Sequence, residues 1–411
     1  MRARLWLGLT AAATLAASAY AALSAPLGRD YPGPSCIGCD RPGPPIDALV
    51  HGHLADFFSS QPFMGSASLL LRAPAVWLAD RLGGGELWQY RLGSLACMLV
   101  AAAFVWLVVR MMQRRGQGPS AQAAVIGLIL VGPLTTKALY WGHPEELMAA
   151  ALSVGGVLLA GHRRGLLAGV ALGLAVATKQ WAIFAILPAL MVAGDQRKRL
   201  LAGGGLAAAA FVLPMLIGDP THFFRQNLSA GTGGDAVTPT NLWWPFHSPA
   251  SGQIEGGRVA LQYTVPPLIR EATRPLMLVL AVGLSLLYWR RNPERHPYDV
   301  LQLVALLFLL RCVLDPQTFS YHHVPFLISL AVFEGLRRRG LPWATLVSAG
   351  ALWFIARYVA PNPDSNLLNF AYLAWALPMV GYLSILCFAP GATLSLRMPR
   401  LEQPVPAHRP T

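Results

Sequence analysis

Charge is scarce in this 411-residue chain: Asp, Glu, Lys and Arg together make up only 12% of it. A soluble domain carries roughly twice that share, so a water-exposed globule cannot account for the whole chain. Lysine is scarcer still, limited to Lys137, Lys179 and Lys198. Five cysteines are too few for a disulfide-stapled scaffold. No period-2 alternation of apolar and polar residues runs along the sequence, so nothing reads as a membrane barrel. There is no Walker A sequence, no GxGxxG opening a helix after a strand, and no HExxH. ATP is therefore not expected as an energy source.

What is abundant is apolar sequence, at 55% of residues with a mean hydropathy of +0.47. Apolar runs of about 15 to 22 residues recur, near the length a helix needs to cross a hydrocarbon core. Only helices and closed barrels satisfy their backbone in lipid, so the fold expected is an all-α polytopic membrane protein. Twelve spans are expected, over roughly 5–25, 90–110, 121–140, 145–161, 164–178, 180–194, 199–217, 274–290, 298–314, 322–336, 342–360 and 367–388. The first follows Met1-Arg-Ala-Arg4 and reads as an uncleaved span rather than a removed signal peptide. The segment 65–80 is apolar but holds Arg72 and Pro74, and reads as a re-entrant or interfacial helix.

The net charge of +13 could suggest nucleic acid. Its distribution points elsewhere, because the arginines sit in short clusters between apolar runs. Arg2/Arg4, Arg110/Arg114/Arg115, Arg163/Arg164, Arg197–Arg199, Arg290/Arg291 and Arg337–Arg339 all fall on one side of the twelve-span arrangement. That side is cytoplasmic by the positive-inside rule, together with both termini. No nucleic-acid partner is expected. Residues 1–390 form one transmembrane domain with long outer loops at 26–89 and 218–273, and 391–411 form a disordered cytoplasmic tail. Gly, Pro, Thr and Asn make the second loop read as irregular, with Trp243-Trp244 as a lipid-interface anchor.

The unusual polar residues gather on the outer side. The first loop holds Asp40, Asp47 and Asp56, followed by "YWGHPEE" (Tyr140 to Glu146), "ATKQW" (Ala177 to Trp181) and "LDPQTFSYHH" (Leu314 to His323). Ionisable groups at membrane level are costly, so several on one side suggest one site. Asp40 could act as a general base or cap the helix-like segment that follows it. Asp47 and Asp56 lie within that segment and read more readily as surface charges. Glu145 and Glu146 open a helix, where the dipole favours carboxylates, yet with His143 they could hold a sugar hydroxyl or a metal. Lys179 could snorkel or neutralise a phosphate. Tyr321, His322 and His323 start a span and could add donors, with Arg225 and Arg311 as further cations. Cys36 and Cys39 suggest a small disulfide beside Asp40, while Cys97, Cys312 and Cys387 read as apolar filler.

The arrangement resembles the GT-C superfamily of integral-membrane glycosyltransferases, most of all glycosyltransferase family 87. The resemblance rests on the Asp after the first span, "ALVHG…FF…QPFMGSASLLLRAP", "GLLAGVALGLAVATKQWAIFAILPAL" and "DPQTFSYHHVPFL". It implies inverting transfer of a sugar, mannose by family analogy, from a polyprenyl-phosphate donor to a lipid or polysaccharide hydroxyl at the outer face of the plasma membrane. It puts Asp40 at the catalytic position, with Asp47 as the neighbouring acid. It assigns Lys179, His322, His323 and Arg225 to the donor phosphate, and His143, Glu145, Glu146, Gln180 and Tyr321 to sugar or acceptor. No cofactor is demanded, and a divalent cation is compatible with the acids. The chain departs from the family in Arg41-Pro42-Gly43 and in "SLLLRAP". A polytopic transporter or lipid flippase is the competing reading. It predicts functional charges near mid-membrane rather than at one face.

Overall fold

The computed structural model describes residues 2–32, 41–60, 65–225, 236–255, 258–292 and 296–389. Asp40, Cys36, Cys39 and the tail 391–411 lie outside the described residues. Sixteen helices are named here: α1 (Arg2–Ser24), α2 (Gly43–Val50), α3 (Leu54–Ser60), α4 (Ser66–Arg81), α5 (Glu86–Arg114), α6 (Pro119–Ile126), α7 (Pro133–Trp141), α8 (Glu145–Gly161), α9 (Gly165–Thr178), α10 (Ile186–Val192), α11 (Arg197–Gly218), α12 (Pro267–Arg291), α13 (Val300–Leu314), α14 (Val324–Arg337), α15 (Trp343–Phe354) and α16 (Ser365–Phe388). Short 3-10 and π segments extend α6, α10 and α15.

Among the described residues six helices are long and apolar enough to cross a membrane: Trp6–Ser24, Glu86–Arg114, Pro119–Trp141, Gly194–Gly218, Pro267–Arg291 and Ser365–Phe388. Four shorter apolar helices, with α8 and α14, occupy the remaining expected spans. Helix ends are fixed by local chemistry. Pro119 and Pro133 open α6 and α7 at positions whose N–H groups would be unpaired anyway. Gly142 closes α7 at φ +101, a conformation that glycine tolerates best. Asp364 caps α16 by accepting from the Asn366 amide at 2.9 Å.

α13 and α14 are apolar on almost every side and buried on almost every side, as expected of helices at the centre of a bundle. Lipid offers little hydrophobic drive between helices, so close contact needs small residues. α9 and α11 supply them. A Cβ at Gly169 would sit 2.0 Å from the Leu200 carbonyl, and one at Gly173 would sit 2.4 Å from the Gly204 carbonyl.

The helix ends gather at two poles. At one, Arg115 lies over the Tyr298 ring, Tyr298 bonds His162 at 3.1 Å, and Arg337 forks onto Asp299. At the other lie the C-terminal ends of α1, α7, α9 and α13. α4 begins there, where Gly65 donates to the Thr178 carbonyl at 2.8 Å, and ends beside the start of α5, with Gln89 bonded to Asp80. It thus runs across that pole, as an interfacial helix would.

Three local expectations are corrected. The segment 43–60 is two helices rather than one, because the chain turns at Gly52 with φ +77. The second loop contains an antiparallel hairpin of β1 (Ser248–Glu255) and β2 (Arg258–Thr264), in register from Ser248–Thr264 to Glu255–Arg258 with an irregularity between Ala250 and Gln253. Trp243 and Trp244 are not free interface anchors. Trp244 is buried and donates to Asn366 at 3.0 Å, while Trp243 donates to the Leu314 carbonyl at 2.5 Å. Their indole N–H groups find backbone and amide acceptors, so they pin the loop to α13 and α16.

Candidate active site

The pole that receives α4 holds a buried charged network. Glu145 opens α8 and is fully buried. Its Oε1 accepts from His143 Nδ1 at 2.9 Å and from Lys179 Nζ at 3.2 Å, and its Oε2 lies 3.5 Å from Arg72 Nη1. Lys179 also reaches Glu146 Oε1 at 3.5 Å. His143 Nε2 faces Asp30 Oδ2 at 3.2 Å. Both partners of this imidazole are carboxylates, which only accept, so the ring donates to both only as the imidazolium. Asp30 is the open end of the network, its side chain 37% exposed.

Four separate pieces of chain build this arrangement. The extended segment after α1 runs along the α7–α8 turn, with Arg29 N donating to Tyr140 O and Asp30 N to Trp141 O, both at 3.0 Å. Gly28 and Gly142 allow that approach, since a Cβ on Gly28 would lie 2.4 Å from the Gly142 Cα. The dipole of α8 favours the two first-turn glutamates. Lys179 terminates α9 in extended conformation and so turns toward them. α4 carries Arg72 underneath, with Gly65 pressed against the end of α9.

Aromatic rings wall the network. Tyr321 stacks on His143 with ring centroids 4.9 Å apart, and Phe319 stacks on Tyr321 at 5.9 Å. Tyr31 sits under the Arg72 guanidinium at 5.7 Å. Burial pushes the Tyr31 phenol above its ordinary range, only partly offset by Arg72, so it stays a neutral donor. Several polar atoms are sealed without a partner: Arg72 Nε and Nη2, Glu146 Oε2 and Trp181 Nε1. Unsatisfied buried groups are rare in folded proteins and concentrate where function demands them.

Of the residues singled out from sequence, His143, Glu145, Glu146 and Lys179 meet directly, and Tyr321 joins them as a wall. Gln180 is exposed beside Lys179. His322 lies at the same pole, its Nδ1 accepting from the Phe319 amide at 3.3 Å. His323 is turned into the bundle, bonded to the Ser320 carbonyl at 3.1 Å and to Tyr372 at 3.0 Å. Asp47 is 65% exposed and pairs with His51 at 3.3 Å, apart from the network. Arg225 is exposed at the edge of the described residues. Asp40 lies outside them. A Cβ on Gly43 would meet the Tyr31 carbonyl at 2.2 Å, so the start of α2 packs against the stretch that carries Asp30. Arg72 and Asp30 were missed in the sequence. A lone Arg in an apolar run, and an acid six residues after Ser24, were the available signals. Among the described residues no group of three or more His, Cys, Asp or Glu is arranged to hold a metal ion.

A charged network at one pole of an all-helical apolar bundle, roofed by an interfacial helix, marks a membrane enzyme of the GT-C architecture. The structure of ArnT from Cupriavidus metallidurans bound to undecaprenyl phosphate shares this fold, with a TM-score of 0.51 and 16% identity, covering 93% of this chain and 72% of that one. The sequence pattern of glycosyltransferase family 87 matches residues 67–316, well over half the chain, and the chain belongs to that family. Among curated proteins none matches it.

Proposed function

We propose that this glycosyltransferase moves a sugar, mannose by family analogy, from a polyprenyl-phosphate donor to a hydroxyl of a lipid or polysaccharide acceptor. The site would face the outer side of the plasma membrane. The observation that carries the reading is the His143–Glu145–Lys179 network at one pole of the bundle. ArnT, a protein of the same fold, has been captured with undecaprenyl phosphate, which supports the donor class. The arginine-rich ends lie at the opposite pole, which supports the outward orientation.

In this mechanism Asp40 takes the proton of the acceptor hydroxyl as its oxygen attacks the anomeric carbon. The bond between that carbon and the phosphate oxygen breaks, and its electron pair leaves with the polyprenyl phosphate. Attack opposite the leaving group inverts the anomeric centre. The departing phosphate gains a negative charge, and fixed cations at the pole stabilise it as it forms. Asp30 and Glu145 hold His143 as an imidazolium beside the reacting atoms, and Asp40 returns its proton to water. Asp30 is the second candidate for the base, favoured by its partial exposure and its contact with His143.

The test uses purified protein in nanodiscs with labelled polyprenyl-phosphate mannose and a lipid extract as acceptor. Asp40→Asn is expected to abolish transfer while donor binding persists. Asp30→Asn is expected to retain measurable transfer. Loss in Asp30→Asn with full activity in Asp40→Asn would reverse the assignment.

A further inference from the structure

Arg72 is the one charged residue between Asp56 and Asp80, and it stands in the apolar middle of α4. It is fully buried. It packs against α5 at Gly93, where a Cβ would lie 3.5 Å from its Nε. Its guanidinium lies 5.7 Å from the Tyr31 ring centroid, and its Nη1 meets Glu145 Oε2 at 3.5 Å. Its Nε and Nη2 have no partner. An arginine kept for stability sets its five donors on the acceptors around it. Even a complete buried ion pair is weak evidence for stability, because apolar residues of similar volume often serve as well. Arg72 holds its place with two nitrogens unmet, and an orphaned buried group calls for a reason.

The two oxygens of Glu145 divide its contacts. Oε1 meets His143 Nδ1 at 2.9 Å and Lys179 Nζ at 3.2 Å, whereas Oε2 faces Arg72. The last torsion of a glutamate is broad, so an unheld carboxylate turns with little resistance. A cation on Oε2 removes that freedom and keeps Oε1 aimed at the imidazole. His143 in turn faces Asp30 at 3.2 Å, at the open end of the network.

We infer that Arg72 is a positioning residue for the transfer: it holds Oε2 of Glu145 so that Oε1 stays aimed at His143 Nδ1, and so fixes the imidazole that faces Asp30. The inference rests on the reading proposed above and adds a residue that acts on the reacting atoms only through Glu145 and His143. Its charge counts as well as its shape. Facing His143 are Asp30 after α1, Glu145 on α8 and the stacked Tyr321, with His322 beside that ring. Lys179 and Arg72 reach it through Glu145, Glu146 shares Lys179, and Arg29 lies over Trp141 at the end of α7. Each nearby cation disfavours the imidazolium, so removing Arg72 lets His143 keep its proton to higher pH. Glu145 still has Lys179 and the imidazole at its other oxygen, which fixes that sign.

The experiment combines histidine NMR with kinetics on the full-length protein in nanodiscs, as wild type, Arg72→Gln and Arg72→Lys. The His143 signal is assigned by its absence from His143→Gln. In Arg72→Gln that signal is expected to titrate about one pH unit above wild type. With polyprenyl-phosphate mannose as donor, kcat of this variant is expected to fall about tenfold or more while KM stays within about threefold. Arg72→Lys returns the charge without the planar fork, so it should titrate with wild type and recover part of kcat. A merely structural arginine would lower the melting temperature and leave both readouts of the folded protein at wild type; that result in Arg72→Gln overturns the inference. If Arg72→Gln does not fold, Arg72→Lys decides: a lowered kcat at unchanged KM supports the inference, and wild-type kcat overturns it. A wild type that transfers nothing from the lipid donor while the NMR difference holds overturns the donor reading and upholds the grip of Arg72 on Glu145 and His143.

Discussion

Replacing Glu145 with glutamine removes one charge from the centre of the buried network and leaves its volume unchanged. The carboxylate faces His143 at 2.9 Å, Lys179 at 3.2 Å and Arg72 at 3.5 Å, and it is fully buried. At 3.2 Å two unit charges attract by roughly 5 kcal/mol for an effective dielectric of about 20. Desolvation opposes that gain, but the substitution leaves the three cations buried with one partner fewer. Breaking a buried pair this way costs about 3–5 kcal/mol. Glu145→Gln should therefore lower the melting temperature in detergent clearly and abolish transfer. Lys179→Met should do the same alone. The double variant Glu145→Gln/Lys179→Met should melt higher than the sum of the two losses predicts, with a coupling of about 1–3 kcal/mol. Scanning fluorimetry on the four proteins gives the cycle. Additive losses, or a Glu145→Gln protein as stable as wild type, would refute a charge network at this site.

Two other outcomes test the frame around it. Gly169→Leu should destabilise the protein by about 1–3 kcal/mol or more and reduce the yield of folded protein, since no side chain fits between α9 and the Leu200 carbonyl; a normal melting curve would contradict the close packing. At the opposite pole, burial and the nearby Arg337 hold the His296 imidazole down to about 4, from an ordinary 6.5. The folded protein keeps it neutral while the unfolded chain protonates it, so stability should fall as pH drops from about 6.5 toward 4, and His296→Gln should flatten that slope. Identical pH profiles for the two proteins would remove His296 from the account.

Much of this architecture was legible in the sequence, and the misses have physical causes. Span placement followed from apolar run length, because lipid leaves the backbone only one economical solution here. The helix starting at Glu145 was readable from Gly142, Pro144 and two first-turn acids. The hairpin has one sequence signal, the Gly256-Gly257 pair, and its first strand, SPASGQIE, has almost no β-branched or aromatic residue to mark it. Trp243 and Trp244 were misread because an aromatic pair in a Pro-rich loop looks the same whether it faces lipid or packs on α16. Only tertiary structure separates those cases. Arg72 argues against a span on hydropathy alone, yet the same rarity makes a lone arginine a marker of function. The partnering of Lys179 with Glu145 and Glu146 depends on contacts between elements distant in sequence.

The central claim is that the sugar comes from a lipid phosphate rather than a soluble nucleotide. The direct measurement gives the purified chain, in nanodiscs with a lipid acceptor, labelled polyprenyl-phosphate mannose in one reaction and labelled GDP-mannose in another, and resolves product and anomeric configuration by NMR. The account predicts transfer from the lipid donor alone, with inversion, and no transfer from the nucleotide. Transfer from GDP-mannose, or a product with retained configuration, would contradict it.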